Sequence, residues 1–158
     1  MDNIYQAIFS SSRMLLEQLD RAVCPEQSSG GPFLVLLDTD RRPMGGDVEC
    51  FRRFLSDDAA IAKICNSIDD GSDPLLWSES EVTILAGQLY SERANCGYAL
   101  LALPGYTFDT AHANLDLLEM LIAQLNIITA LIDKNNQLHQ FKLTHAGLNS
   151  KILSGSGQ

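Results

Sequence analysis

The chain has 158 residues, of which 46% are hydrophobic and 20% charged, and its formal net charge is −9. This length and composition predict a single globular domain with a hydrophobic core. The negative charge argues against direct nucleic-acid binding by this segment and against association with an anionic membrane surface.

The N-terminal segment predicts an amphipathic helix over residues 2–23, because Ile4, Ile8, Leu15 and Leu19 recur at helical spacing. It lacks the basic start and the continuous apolar core of a signal peptide. No uninterrupted apolar run in the chain approaches the roughly 18 residues of a membrane span. We therefore expect a cytoplasmic protein without a membrane partner.

The middle of the chain predicts an antiparallel sheet with helices packed on it. Residues 33–37, "FLVLL", form a short apolar run that ends in turn residues and is typical of a buried strand. The following "RRPMGG" holds either a partner strand or only a turn. Ser56 and two aspartates then predict a helix start, and residues 75–77 predict a short strand. The runs "EVTILAGQLY" and "CGYALLALPG", joined by "SERAN", predict a β-hairpin, so the fold class is α+β.

A long helix is predicted over residues 109–145, with Asp109 as its N-cap and an end near Gly147. One apolar stripe has the spacing of a helix that docks on a sheet. Its members are Leu118, Leu121, Leu125, Ile128 and Ile132. Residues 1–145 are then one domain, and residues 146–158 are a linker or tail.

A second stripe on the same helix follows heptad spacing, and its polar interruptions are Gln124, Lys134 and His145. Beyond Ile132 the helix is too polar for a monomer core, yet its apolar residues stay in phase. We therefore expect a homodimer that forms through this helix. The interface residues predicted in this way are Leu117, Met120, Ile127, Leu131 and Leu138, and Phe141 and Leu148 continue the pattern.

The sequence contains no G-x-S-x-G, P-loop, G-x-G-x-x-G or H-E-x-x-H motif, and we predict no enzymatic activity. Asp109, His112 and Asp116 share a helical face at metal-binding spacing, but a solvated helix start is the better interpretation. The four cysteines form no C-x-x-C pair and are interpreted as free thiols. The basic pairs at residues 41–42 and 52–53 are interpreted as a turn with local ion pairs and as surface charge.

Residues 97–140, "GYALLALPGYTFDTAHANLDLLEMLIAQLNIITALIDKNNQLHQ", resemble the C-terminal part of a GAF domain. In that family a core strand ends in a Gly- or Pro-rich turn, and an aromatic residue and an acidic helix start precede a "LLE-x-L-A-x-Q" helix. The matching residues are Phe108, Asp109, Leu117, Leu118, Glu119, Leu121 and Gln124. The resemblance implies an antiparallel sheet with the terminal helices on one face and short helices on the other. A PAS domain is the alternative fold, because "FLVLLDTDRRPMGG" resembles the start of one.

The resemblance implies a non-enzymatic sensory or regulatory domain that relays a signal to a downstream output domain or protein partner. It also implies a small-molecule ligand of unknown identity, although no stretch typical of cyclic-nucleotide or bilin binding is present. The residues that we expect to line its pocket are Phe54, Cys65, Trp77 and Tyr98.

Two alternatives remain open at this point. The first is a protein-interaction module with no small ligand, whose exposed helix binds a partner. The second is a thiol-dependent reductase of GAF type, in which Cys50, Cys65 and Cys96 would have to converge over the pocket.

Overall fold

The computed structural model of the chain describes residues 4–23, 32–79, 82–92 and 94–155. The elements in chain order are α1 (Ile4–Val23), β1 (Phe33–Leu37), β2 (Pro43–Gly46), α2 (Val48–Phe54), α3 (Asp58–Asp69), β3 (Leu75–Glu79), β4 (Val82–Tyr90), β5 (Asn95–Pro104), α4 (Phe108–Ala113) and α5 (Leu115–Gly155). The predicted α+β class is confirmed. The predicted strands are also present, and β2 resolves the open question over "RRPMGG".

The strands form one open antiparallel sheet in the order β2-β1-β5-β4-β3. The central strand β5 pairs with β1 on one side and with β4 on the other, so that Leu101 lies opposite both Leu34 and Leu85. The edges are the short strands β2 and β3. This topology places the longest apolar runs of the sequence at the centre of the sheet.

Successive residues of the central strands point to opposite faces of the sheet, and both faces are covered. On β1, Leu34 and Leu36 face the core beneath α1 and α5, whereas Val35 and Leu37 face the core beneath α2 and α3. Because both faces are buried, the strands appear as continuous apolar runs rather than alternating ones. Helices α1 and α5 therefore cover one face and α2 and α3 the other, as the resemblance implied, whereas the short α4 contributes Ala111 to the α1/α5 side.

The docking stripe predicted on the long helix is confirmed. Leu118, Leu121 and Leu125 are buried against the sheet, and Ile128 and Ile132 pack beside them. The docked segment also buries Ile122, Asn126 and Thr129, which lie next to the stripe.

The C-terminal helical segment differs from the prediction in two places. It begins with the short α4, whose N-cap is Thr107, and Asp109 lies inside that first turn instead of capping it. Asn114 separates α4 from α5, so the continuous helix starts at Leu115. Its far end also differs, because α5 continues through Gly147 to Gly155. The region predicted as a linker is thus helical up to residue 155.

Among the described residues, α5 is the one helix that is long and apolar enough to cross a membrane by length and composition. About 33% of its apolar stretch is buried in the domain. Leu118 and Leu125, for example, are wholly buried against the sheet. Much of the apolar surface near the start of α5 is therefore used for packing within the domain.

Candidate functional site

A row of large apolar side chains on α5 is exposed to solvent. We call this row the α5 seam, and it consists of Met120, Ile127, Leu131, Leu138, Phe141, Leu148 and Ile152. Their exposed fractions range from 51% to 69%. Large apolar side chains gathered in one row at such exposure typically mark an interaction surface.

The α5 seam keeps a heptad register along the helix. Leu131, Leu138 and Ile152 occupy a positions, and the other four residues occupy d positions. Leu143 is also an exposed apolar residue of α5, but it falls at an f position on a different side of the helix. The seam is therefore narrow, as expected of a surface that contacts one partner helix.

The second half of α5 extends beyond the body of the domain. Its last fully buried residue is Thr129, and every described side chain from Leu138 to Ile152 is exposed. The helix has 41 residues and is about 60 Å long at 1.5 Å per residue. Because most of the stability of a helix in a protein comes from packing of its apolar face, the exposed half of α5 gains most from packing against a partner.

Leu117, which was predicted to belong to the interface, lies partly in the core of its own domain. It is half-buried and packs against the core beside Leu118, so the fully exposed part of the stripe begins at Met120. The other four predicted interface residues, Met120, Ile127, Leu131 and Leu138, are all exposed members of the α5 seam.

Polar residues interrupt the α5 seam at positions that the heptad assigns to the interface. Lys134 forms an ion pair with Glu92 of the β4–β5 loop at 2.7 Å, with both side chains exposed. The ring of His145 packs edge-on against Phe141 at 4.5 Å between ring centroids. Gln124 is half-buried. Such residues weaken a helical interface and select its register.

The four side chains predicted to line a ligand pocket all lie on the α2/α3 side of the sheet. Cys65 and Tyr98 are part of the buried core there, and Trp77 packs against it. Phe54 is more exposed and stacks on Phe33, with 5.5 Å between the ring centroids. They are thus brought to one face, where Cys65 and Tyr98 serve as core residues.

Tyr98 connects the core to a polar network at its edge. Its hydroxyl donates to the Asp69 carboxylate at 2.8 Å, and the guanidinium of Arg41 also contacts Asp69, at 3.4 Å. Burial and the neighbouring Asp69 carboxylate raise the pKa of Tyr98. Arg41 also donates to Asn66, so this network ties the β1–β2 turn to α3.

The three described cysteines, Cys50, Cys65 and Cys96, do not all converge over one pocket, as a thiol reductase would require. Burial raises the pKa of the Cys65 thiol to about 11, which disfavours the nucleophilic thiolate. Cys96 packs against the core on the opposite face of the sheet from Cys65. Cys50 lies on α2, and Cys24 falls outside the described residues.

A cleft lies between the β1–β2 turn, α2 and α3, and its volume is about 310 Å³. Its apolar surface comes from both strands and both helices, including Val35, Phe51 and Ile61. Arg41, Arg42, Arg52 and Asp58 provide its charged groups. None of the four residues predicted for a pocket lines this cleft.

The structure also locates the residues considered for metal binding. Asp109 and His112 lie on α4, whereas Asp116 lies on the separate helix α5, and all three are exposed. Within the described parts of the chain, no group of three His, Cys, Asp or Glu residues is placed to hold a metal ion.

Comparisons of this chain with protein-family models, with curated proteins and with solved structures found no match. The function proposed below therefore rests on the α5 seam, the layered fold and the sequence resemblance described above.

Proposed function

We propose that this chain is a non-enzymatic regulatory domain that forms a homodimer through the α5 seam. The observation that carries the proposal is the seam itself, in which seven large apolar side chains in heptad register are each more than half exposed. Burial of this surface requires a partner, because the sheet lies against the opposite face of the first half of α5 and no described residue covers the second half.

A second copy of the same helix is the occupant that fits the seam best. Apolar residues at a and d positions form knobs that fit into holes on a helix with the same pattern. Two copies of α5 therefore complement each other without any further surface. The pattern also runs past the core to Ile152, so the paired segment includes the half of α5 that its own domain leaves uncovered.

The polar interruptions suit a dimer that is specific rather than maximally stable. Lys134 and His145 occupy a or d positions, where they lower the stability of a helical pair and disfavour shifted registers. A moderately stable pair can change its packing when conditions change. Such a change is what a regulatory helix needs in order to transmit a signal.

The position of α5 supports a role in relaying a signal. Its first half is part of the core on the sheet, whereas its second half projects away from that core. A shift in how the first half packs on the sheet would move the projecting half as one rod. We propose that the rod acts on a downstream output domain or protein partner, and that the fold is of GAF type, with PAS as the alternative.

The test is a matched pair of charge substitutions on α5. Leu131 and Leu143 are the same residue type with the same exposed fraction, 61%, but only Leu131 lies in the seam. We expect Leu131→Asp to convert the dimer into a monomer and Leu143→Asp to leave the dimer intact. Sedimentation equilibrium at micromolar concentrations measures both.

Several outcomes would contradict the proposal. One is that the wild-type chain is monomeric throughout this concentration range. Another is that Leu131→Asp and Leu143→Asp change the dimer equally. Circular dichroism and the fluorescence of Trp77 verify that each variant keeps its fold. A wild-type monomer that instead forms a stable one-to-one complex with a different protein through Leu131 would favour the protein-interaction module.

A further inference from the structure

The cleft between the β1–β2 turn, α2 and α3 concentrates positive charge in an acidic protein. The chain carries a net charge of −9, yet three arginines, Arg41, Arg42 and Arg52, line this one cleft. Asp58 is the acidic side chain among its lining residues. The local charge of the cleft is therefore opposite in sign to that of the whole chain.

The turn after β1 places two of these arginines side by side. The Asp38 carbonyl accepts a hydrogen bond from the Arg41 amide at 2.9 Å, and the Asp38 carboxylate accepts one from the Arg42 amide at 2.9 Å. Arg41 has a φ of 66°, in the left-handed region that glycine or asparagine adopts more readily. The chain thus places an arginine at a position whose backbone conformation does not favour one.

The three arginines differ in how far they are already engaged. Arg41 is held against α3 by Asn66 and Asp69, which fixes the wall of the cleft. Within the described part of the chain, the side chains of Arg42 and Arg52 form no ion pair or hydrogen bond. Their guanidinium groups therefore keep all their donors for a ligand.

The interior of the cleft is apolar, in contrast to its charged rim. Val48 of α2 and Ile61 of α3 are partly exposed there, whereas Val35, Leu37 and Phe51 form its floor and are at most 1% exposed. Ligand sites of small molecules usually combine a mostly apolar lining with a few placed polar groups, in cavities of about 300–1,000 Å³. The cleft has both the composition and the volume for such a molecule.

We propose that this cleft binds a small organic anion with an apolar body. The anionic group, a carboxylate or a group of similar shape, is held by Arg42 and Arg52, since guanidinium forks match the geometry of such oxyanions. The apolar body contacts Val48 and Ile61, which are partly exposed in the cleft. This proposal concerns a surface separate from the α5 seam and does not depend on dimerisation.

The binding test uses three probes that separate charge from apolar contact. Octanoate has both groups, 1-octanol lacks the charge, and acetate lacks the apolar body. Titration of each into the full chain is followed by isothermal calorimetry and by the methyl NMR signals of Val35 and Ile61. We expect octanoate to bind with a dissociation constant of about 1 mM or lower, and the other two probes to bind at least about tenfold more weakly.

The chain offers a matched control for the arginines. Arg52 lines the cleft, whereas its neighbour Arg53 is exposed on the same helix and does not line it. We expect Arg42→Ala combined with Arg52→Ala to weaken octanoate binding by about tenfold or more, and Arg53→Ala to leave it unchanged. Ala62→Phe, which fills the cleft from α3, should also weaken binding while all arginines are kept.

Three results would overturn the proposal. The first is equal binding of octanoate and 1-octanol, and the second is an equal loss of binding in the Arg53→Ala control. The third is the absence of octanoate-induced shifts at Val35 and Ile61, including the case in which shifts occur only at Leu131 and Leu138 of the α5 seam. Thermal unfolding of each variant verifies that any loss of binding does not come from a loss of fold.

Discussion

The Asn126 side chain of α5 hydrogen-bonds the backbone of Tyr90 at the end of β4. Its Oδ1 accepts from the Tyr90 amide at 3.0 Å, and its Nδ2 donates to the Gln88 carbonyl at 3.1 Å. Strand β3 pairs with β4 only as far as Ala86, so the last residues of β4 have no strand beside them on this side. Asn126 thus takes the place of the missing strand and fixes the position of α5 along the sheet.

We expect Asn126→Ala to lower the free energy of unfolding by about 1–3 kcal/mol, because it leaves two backbone groups of β4 without partners. Asn135→Ala, an exposed asparagine on the same helix, should change it by no more than about 0.5 kcal/mol. Urea unfolding at one fixed protein concentration measures both. Equal effects of the two substitutions would show that the Asn126 contacts do not stabilise the fold.

The close approach of β4 and α5 at Gly87 leads to a second prediction. A Cβ at position 87 would lie 2.8 Å from the Ile122 Cγ2 atom, nearer than side chains normally come. We expect Gly87→Ala to destabilise the chain by about 1–3 kcal/mol through overpacking. Ile122→Ala also destabilises it, by about 2–5 kcal/mol through cavity formation.

The double variant distinguishes this contact from a general loss of stability. Removal of the Ile122 side chain makes room for the new methyl group. The loss of unfolding free energy in the double variant should therefore be smaller than the sum of the two single losses by about 0.5–3 kcal/mol. Chemical unfolding of all four proteins completes the cycle. Strictly additive effects would contradict a steric limit between Gly87 and Ile122.

A third prediction concerns alkaline pH. Burial raises the pKa of Cys65 to about 11 from the ordinary 9.0. Between these values the thiol loses its proton in the unfolded chain but keeps it in the folded one. The folded state therefore binds more protons, and the free energy of unfolding falls as the pH rises. The stability from the protonated thiol is complete below pH 9.

The interval between pH 9 and pH 10 contains most of the Cys65 effect, and Tyr5 and Tyr98, whose pKa values burial raises above the ordinary 10.0, add a smaller loss that wild type and Cys65→Ala share. Over this interval we expect the wild type to lose about 1 kcal/mol more than Cys65→Ala. The slope against pH is the readout, since the substitution also lowers stability at every pH. Parallel slopes for the two proteins would contradict the prediction.

The fourth prediction tests the projecting half of α5. Gly147 lies inside the helix, a methyl group placed there would meet no neighbouring side chain within 4 Å, and its heptad position c is outside the seam. Gly147→Ala should therefore stabilise the helix by about 0.5–1 kcal/mol per chain and strengthen dimerisation without a new contact. Ala146→Gly, one residue earlier, should have the opposite effect. Sedimentation equilibrium compares both with the wild type, and a weaker dimer for Gly147→Ala would contradict the prediction.

The sequence was sufficient for the features that depend on residue spacing. The apolar run at residues 33–37 predicted β1 with its correct bounds, and the spacing of Leu118, Leu121 and Leu125 predicted the docked face of α5. The same reasoning predicted the exposure of Leu131 and Leu138. In each case the periodicity of one element alone determines which side chains face the core.

Features that depend on contacts between distant elements were beyond this reasoning. Arg41 and Arg52 were interpreted as local or surface charge, because only the packing of the β1–β2 turn against α2 and α3 brings them into one cleft. The end of α5 was placed too early, because a glycine inside a helix costs only about 0.5–1 kcal/mol relative to alanine, and α5 continues through Gly147. The role of Asn126 likewise requires knowledge that β3 stops short of the end of β4.

The two edge strands of the sheet bear on how this protein avoids uncontrolled aggregation. β2 has only four residues, begins with Pro43 and includes two glycines, while β3 has five residues and ends at the charged Glu79. Short edges with proline, glycine or charge are poor templates for the growth of intermolecular β-structure. Copies of this chain therefore have little tendency to stack edge to edge into fibres, even at high protein concentration.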